Sequence, residues 1–387
     1  MKILAIDDQQ LILLSIKKRL TEFGYNVKTA DSTRKGIELF NTFNPDLVLL
    51  DMNMPDLSSP ELVSCTGIEV VKHIRLSLGK DTPILVLSGN TDEKVIMENF
   101  NFGINDYLKK PVSLDEMTAR IKRIIGQPKT NTEVATSLDT RMIQKHCVGV
   151  VIPCYNEEKR LSSTEFRDFA HKNLGYHLCF VNDGSTDNTL KVLHEIKDTS
   201  KLNISIFNCK VNGGKAEAVR QGMLHLSQDL QFDYLGYLDA DLSTNFSDFD
   251  DLVETLEKSQ FKIVSGSRMS RMGAEITKES ARSIISKVIS MIIRSILKMP
   301  FNDTQCGAKV MHKALVKPIF EKSFITKWLF DVEIFMRMRK LYGKNEAKAL
   351  ICEQPLKRWI HADGSKISMK DSAKIVGQLA KIAIAYK

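Results

Sequence analysis

Seven cysteines are scattered along 387 residues, odd in number and without a CxxC pair. That pattern argues against a disulfide framework or structural zinc and for reduced thiols in a cytoplasm. Long apolar runs are lacking as well: the most apolar segment, Ser283 to Pro300, is interrupted by Lys287, Arg294 and Lys298, so it is not expected to span a bilayer. Acids enter by Asp7, and no secretory leader is expected. There is no internal repeat or low-complexity tract, and neither the methionines nor the eight histidines form a ligand pattern. The rest is an ordinary globular composition, 43% apolar and 26% charged. The length exceeds one typical core, so two domains are expected.

Charge is unevenly spread. Residues 1–126 hold 16 Lys/Arg and 17 Asp/Glu, leaving 39 and 30 of the chain's 55 and 47 for the remainder, net −1 against +9. The later part is suited to an anionic partner such as phosphates or lipid head groups, or simply has a basic surface.

The first third alternates short β-branched or leucine-rich runs with helical patterns. The runs are Lys2–Ile6, Tyr25–Thr29, Leu47–Leu50, Ile84–Leu87 and Asp106–Leu108. Strands spaced this way predict a doubly wound parallel sheet. Gly126 to His146 is Thr-, Lys- and Gln-rich and reads as a linker, partly helical. A second α/β series starts at "CVGVVIPCYNEE". The expected boundaries are 1–126, a linker at 127–146, and 147–387.

In open α/β sheets, chemistry gathers beyond the carboxyl ends of strands. Four such ends in the first third carry Asp7 and Asp8, Asp51, Ser88, and Lys110. Carboxylates about 5 Å apart at an effective dielectric near 20 repel by on the order of 3 kcal/mol per pair. A divalent cation relieves that, and Mg²⁺ suits sparse carboxylates with water and phosphoryl oxygen. With "DMNMP" at Asp51–Pro55 and "KP" at Lys110–Pro111, residues 1–126 resemble the flavodoxin-like receiver domain of two-component response regulators. The resemblance implies that a histidine kinase phosphorylates Asp51, and that Asp7, Asp8, Asp51 and the Asn53 backbone hold Mg²⁺. It further implies that Ser88 and Lys110 contact the phosphoryl group, that Tyr107 is the aromatic switch, and that Lys110–Pro111 is cis. Two departures stand out: about eight extra residues between Pro55 and Gly67, and Gly89 where relatives commonly have Ala.

A second acid pair, Asp239 and Asp241, ends the run "YLGYLDADL". Residues i and i+2 of an extended segment face one side, so both acids can meet one ligand. An isolated DxD is also common in surface loops. Its company consists of "VVIPCYNEEKRL", "FVNDGSTDNTLKVL" and "NGGKAEAVRQGM", the last offering a glycine turn and Lys215 before a helix, suited to phosphate approach. Together these resemble a family 2, GT-A (Rossmann-like) glycosyltransferase domain. "SGSRM", "NDTQCGAKV", "WLFDVEIF" and "WIHADGSKI" are similar to enzymes that glycosylate dolichyl or polyprenyl phosphate, the glucosyl branch more than the mannosyl. The resemblance implies an inverting hexosyltransferase that takes sugar from a nucleotide such as UDP-glucose. Pro153, Tyr155, Glu157 and Asp183 would hold the nucleoside. Asp239 and Asp241 would face the diphosphate with Mg²⁺ or Mn²⁺, Asp241 the more direct ligand. Arg268 and Arg282 would grip the acceptor phosphate. Ser243 and His361 depart from mannosyl relatives, which often have Gln and Arg there.

A phosphate acceptor needs no base; a hydroxyl acceptor on a glycan or protein would need one, with Asp331 or Glu333 as candidates, and both fit positioning or structural roles equally. A non-catalytic nucleotide-sugar sensor is the remaining alternative. "QPLKRW" has one residue too many for the QxxRW of processive synthases. The helix expected over Ser283–Lys298 fits an interfacial helix on an anionic membrane or one that covers a core or dimer face. Expected partners are thus a histidine kinase, a nucleotide sugar and a polyprenyl phosphate or glycan. A peripheral membrane contact at the inner face and a phosphorylation-dependent homodimer are also expected. No helix-turn-helix or basic recognition helix follows the first third, so no nucleic acid is expected.

Overall fold

The computed structural model describes residues 1–54, 67–89, 97, 100–128, 141–199, 203–229, 231–269, 275–276, 282–360 and 372–386. Side chains at 199, 275–276, 282–288 and 372–374 lie outside that description. The expectations resting on Pro55, the inserted loop after it, His361 and the rest of "HADGSKI" therefore fall outside the described residues. The chain divides into two compact units. One comprises Met1–Cys147 with Ala170–Tyr176, the other Val148–Phe169 with His177–Lys387.

The first unit is built on β1 (Lys2–Ile6), β2 (Asn26–Ala30), β3 (Leu47–Asp51), β4 (Ile84–Ser88) and β5 (Asp106–Lys109). They form one parallel sheet in the order β2-β1-β3-β4-β5. Each expected strand is present to within a residue. Period-2 alternation sorts their apolar side chains onto two faces. Ile3, Leu47, Leu49, Leu85 and Leu87 pack with Ile12, Ile16, Met117 and Ile121 of helices Gln10–Glu22 and Leu114–Ile125. Leu4, Ile6, Val48, Leu50, Ile84 and Val86 pack with Phe40, Val70, Val71 and Ile74. Both faces are covered, which is why the strands read as continuous apolar runs.

A short β6 (Val112–Ser113) follows β5 and pairs antiparallel with Ile143 and Met142 at the start of β7 (Met142–Cys154). This corrects the linker expectation. Residues 142–146 are strand rather than linker or helix, because Ile143 is fully buried in the first unit's core. Gln144, Lys145 and His146 hid that strand behind polar side chains.

From Val148 and His177 onward, the second unit holds the rest of β7 and of β8 (Asn173–Asp183), with β9 (Ile204–Cys209), β10 (Tyr234–Leu238), β11 (Ile263–Ser267), β13 (Ala308–His312) and β14 (Ile351–Pro355). The order is β14-β11-β13-β10-β7-β8-β9. β10 runs parallel to β7, while β13 lies antiparallel between β10 and β11. β12 (Glu275–Ile276) and β15 (Arg358–Trp359) form a separate two-stranded ribbon. All five residues of β10 are buried, so the chain reaches solvent only where the acid pair begins.

Helix Arg282–Leu297 packs against helices Phe330–Tyr342 and Ser372–Ala385. Its described buried residues are Ile293 and Leu297, with Met291 exposed. This favours the core-covering reading over the interfacial one. Among the described residues, no helix is long and apolar enough to cross a membrane.

Candidate functional site

Acids gather at two strand ends, one in each unit. In the first, β1 and β3 deliver Asp7 and Asp51, 2% and 4% exposed, and β5 leads to Lys110, 2% exposed. The Lys110 ammonium lies 2.7 Å from Asp51 Oδ2 and 3.2 Å from Asp7 Oδ2. The Gln9 N–H donates to Asp7 Oδ1 and the Asn53 N–H to Asp51 Oδ1. Burial, opposed by Lys110 and reinforced by Asp51, pushes the Asp7 carboxyl up to about 6. Burial alone would lower the Lys110 ammonium, but Asp51 and Asp7 raise it above its usual range. Oxygens of Asp7, Asp8 and Asp51 all lie within 4.8 Å of one another. Hard oxygen donors this close, short of positive charge, fit a Mg²⁺-class ion. Ser88 is buried beside them, and Tyr107 is half-buried with a hydrogen bond to Ser88. The Lys110–Pro111 peptide is cis, as expected.

In the second unit, Asp239 Oδ1 meets the Lys215 ammonium at 2.5 Å. Asp241 Oδ1 accepts the Ser243 N–H at 3.0 Å, across a left-handed Leu242 (φ 50°). Asp239 has room only because residue 307 is glycine. A Cβ there would fall 1.9 Å from Asp239 Oδ2. Lys215 opens helix Lys215–Ser227, and Asp183 at the end of β8 holds the preceding turn by accepting the Gly213 and Gly214 N–H groups, both at 2.8 Å.

Cross-bonds sew two loops together nearby. The Asn156 N–H donates to Ser185 Oγ, the Glu157 N–H to Thr189 Oγ1, and Asn188 donates to the Glu158 carboxylate. Pro153 and Tyr155 flank this seam, Tyr155 37% exposed. Arg268 grips Asp303 through Nε and Nη2, at 2.7 and 2.8 Å, and lies over the Trp359 ring. Despite burial, Arg268 holds the Asp303 carboxyl down at about 2.

The response regulator receiver domain family matches residues 3–122, and glycosyl transferase family 2 matches residues 149–320. The dolichyl-phosphate beta-glucosyltransferase ALG5A of Trichomonas vaginalis is 32% identical over 257 residues, 62% of this chain and 74% of that protein. The chain belongs to glycosyl transferase family 2. The dolichyl-phosphate beta-glucosyltransferase of Saccharomyces cerevisiae is also 32% identical, over 62% of this chain and 75% of its own. In front of the transferase stands a receiver domain. The cell cycle response regulator CtrA of Brucella ovis is 35% identical over 37% of this chain, which spans 61% of that protein. The receiver and GT-A folds are those the sequence predicts.

The receiver residues singled out from the sequence converge: Asp7, Asp8, Asp51, Ser88 and Lys110 share one edge, with Asn53 and Tyr107 bonded into it. In the transferase, Asp239, Asp241 and Lys215 meet at one strand end. Arg282 begins its helix, with its side chain outside the description. Asp331 and Glu333 are internally committed. The Asp331 carboxylate accepts the Lys309 ammonium at 2.6 Å and the Tyr237 hydroxyl. Glu333, fully buried, accepts the Ile325 and Thr326 N–H groups and the Tyr386 hydroxyl. Sequence reasoning missed Asp303, Gly307 and Lys309, although all three lie within the quoted "NDTQCGAKV". It also missed Glu353, whose carboxylate accepts the Asn302 and Asp303 N–H groups.

Proposed function

We propose that the second unit transfers glucose from UDP-glucose to a polyprenyl phosphate with inversion, and that a histidine kinase sets its rate by phosphorylating Asp51. The acceptor class rests on one observation: the two acids singled out as candidate bases are both spent inside the fold, Asp331 on Lys309 and Tyr237, Glu333 on a loop backbone. An acceptor that brings its own negative charge needs neither. Its phosphate oxygen attacks the anomeric carbon, the bond from that carbon to the UDP oxygen breaks, and the electron pair leaves with UDP. Attack from the opposite face inverts the centre.

In this reading Pro153, Tyr155, Glu157 and Asp183 serve the nucleoside. Asp241, Asp239 and Lys215 serve the diphosphate, and Arg268 and Arg282 the acceptor phosphate. Mg²⁺ or Mn²⁺ held through Asp241 would neutralise charge on the leaving diphosphate. Relatives whose names carry dolichyl-phosphate glucosyl transfer support the same sugar and acceptor class. In the receiver, Asp7, Asp8 and Asp51 would hold Mg²⁺ with the Asn53 backbone, Ser88 and Lys110 the phosphoryl group, and Tyr107 would switch. A peripheral contact with the membrane's inner face follows from a lipid acceptor.

The test is transfer of label from radiolabelled UDP-glucose, with Mn²⁺, to polyprenyl phosphate or to a soluble glycan. Label should enter the organic phase and fall by about 10²–10³-fold in Asp241→Asn, the scale of losing one electrostatic group at a reacting centre. Label found only in the glycan would overturn the acceptor, and donor binding without turnover would make the unit a sensor.

A further inference from the structure

We propose that Lys145, from strand β7, is a second cation for the phosphoryl group at Asp51. The inference rests on the phosphoacceptor reading and deepens it. Two independent observations bring Lys145 to that edge. The first is register: Val112 pairs with Ile143 and Ser113 with Met142, antiparallel. β7 therefore runs back toward Pro111 and Lys110, which brings Lys145 level with Lys110. The second is a seat. A Cβ at Gly89 would fall 2.3 Å from Lys145 Cγ, 2.9 Å from Cδ and 2.8 Å from Cε.

Nearly the whole stem of Lys145 thus lies across Gly89, the residue after buried Ser88. A side chain at position 89 would occupy the path of the stem, which gives a physical reason for glycine where receivers commonly have alanine. The ammonium, one bond beyond Cε, has no hydrogen bond or ion pair with a described residue. Lys145 itself belongs to the first unit.

Charge explains what the lysine would do. Asp7 and Asp51 share the Lys110 ammonium, and Asp8 brings a third carboxylate within 4.8 Å of theirs. A divalent ion would balance them. Phosphorylation then puts about −1.5 to −2 charges in place of the single charge of Asp51. Lys145, a flexible point charge on a stem already laid toward the site, supplies the missing positive charge. The covalent step balances in the ordinary way. With acetyl phosphate as donor, an Asp51 oxygen forms the new O–P bond, the donor's acyl O–P bond breaks, and acetate leaves with the electron pair.

The experiment titrates the full chain, with Mg²⁺, against beryllium fluoride as the phosphoryl probe, and labels Asp51 with acetyl phosphate. Lys145→Met keeps the stem and removes the charge. It should weaken beryllofluoride binding about tenfold, the scale of a hydrogen bond to a charged group, with thermal unfolding unchanged. Lys145→Arg should stay near wild type. Gly89→Ala, which displaces the stem from the other side, should follow Lys145→Met and reports the same loss should that variant fail to fold. Equal beryllofluoride affinity in wild type, Lys145→Met and Gly89→Ala would overturn the role and leave Lys145 as packing. A wild type that takes neither beryllofluoride nor label would instead remove the phosphoacceptor reading, and this inference with it.

Discussion

The two acid-bearing strand ends resolve the same repulsion in different ways. In the receiver, Asp7 and Asp51 are almost fully buried and share the Lys110 ammonium, and a carboxylate oxygen of Asp8 lies within 4.8 Å of theirs. In the transferase, Asp239 bonds Lys215, the two side chains 28% and 26% exposed, and Asp241 and Asp331 act on the same ammonium from farther off. Two buried acids and a partly exposed third beside one ammonium leave negative charge that water screens poorly, so a small hard cation is drawn in. A bonded acid and lysine about a quarter open to water, with a partly exposed second acid beside them, leave less buried charge, and a ligand there must arrive with its own phosphates and ion. Similar motifs therefore do different work because burial and pairing differ.

Gly307→Ala is the sharpest way to break the second edge while sparing the first. The new methyl would lie inside the Asp239 carboxylate, 1.9 Å from Oδ2, and Asp239 must leave Lys215. Displacing a charged group at a reacting centre predicts a fall in transfer of about 10³-fold, roughly 4 kcal/mol at 1.36 kcal/mol per decade. Acetyl phosphate should still label Asp51 as in wild type. Transfer above a tenth of the wild-type rate would show that the position of Asp239 does not matter to the reaction.

Gly307 also marks where sequence reading stopped. Strands β1, β3, β4 and β5 were legible because buried parallel strands are bare runs of Val, Ile and Leu, and the acids follow those runs directly. Asp239 and Asp241 were legible for the same reason. Partnerships were not. Lys309 reaches Asp331 across 22 positions, and Arg268 reaches Asp303 across 35. No local period encodes either pair, because they depend on β13 returning antiparallel between β10 and β11. The start of β7 was obscured because only Ile143 is buried in a core there, and Gln144, Lys145 and His146 after it carry no apolar alternation.

Acid should separate the two units. Burial beside Phe232 holds the His177 imidazole down at about 4, against an ordinary 6.5. The folded transferase favours the neutral ring, so this contribution is fully present above pH 6.5. It is lost as pH falls toward 4, because the unfolded chain binds the proton first. The full difference is up to about 3 kcal/mol, at 1.36 kcal/mol per pKa unit. In the receiver Asp7 is shifted upward instead, so acid relieves that buried charge rather than creating one. Urea unfolding at pH 7 and pH 5 should show the transferase transition moving to lower urea. His177→Gln, which keeps a polar partner for Ser205, should flatten the shift. An unchanged slope in that variant would place the acid sensitivity elsewhere.

The smallest effect concerns the choice of cation. Lys110 works as a lysine because it must serve Asp51 and Asp7 from one point in a space with almost no solvent. Arg268 works as an arginine because Asp303 offers two oxygens in a plane, and its guanidinium meets both while lying over Trp359. Arg268→Lys keeps the charge and loses the fork. The Asp303 carboxylate would retain its bonds from the residue 268 and Gln305 N–H groups but only one side-chain donor. The expected loss is about 1–2 kcal/mol by urea unfolding, the value of one hydrogen bond to a charged group. If Arg268 also touches the acceptor, the polyprenyl phosphate concentration giving half-maximal transfer should rise several-fold in the same variant. A stability loss without that rise would leave Arg268 as the clasp of the Asp303 turn and assign the acceptor to other cations.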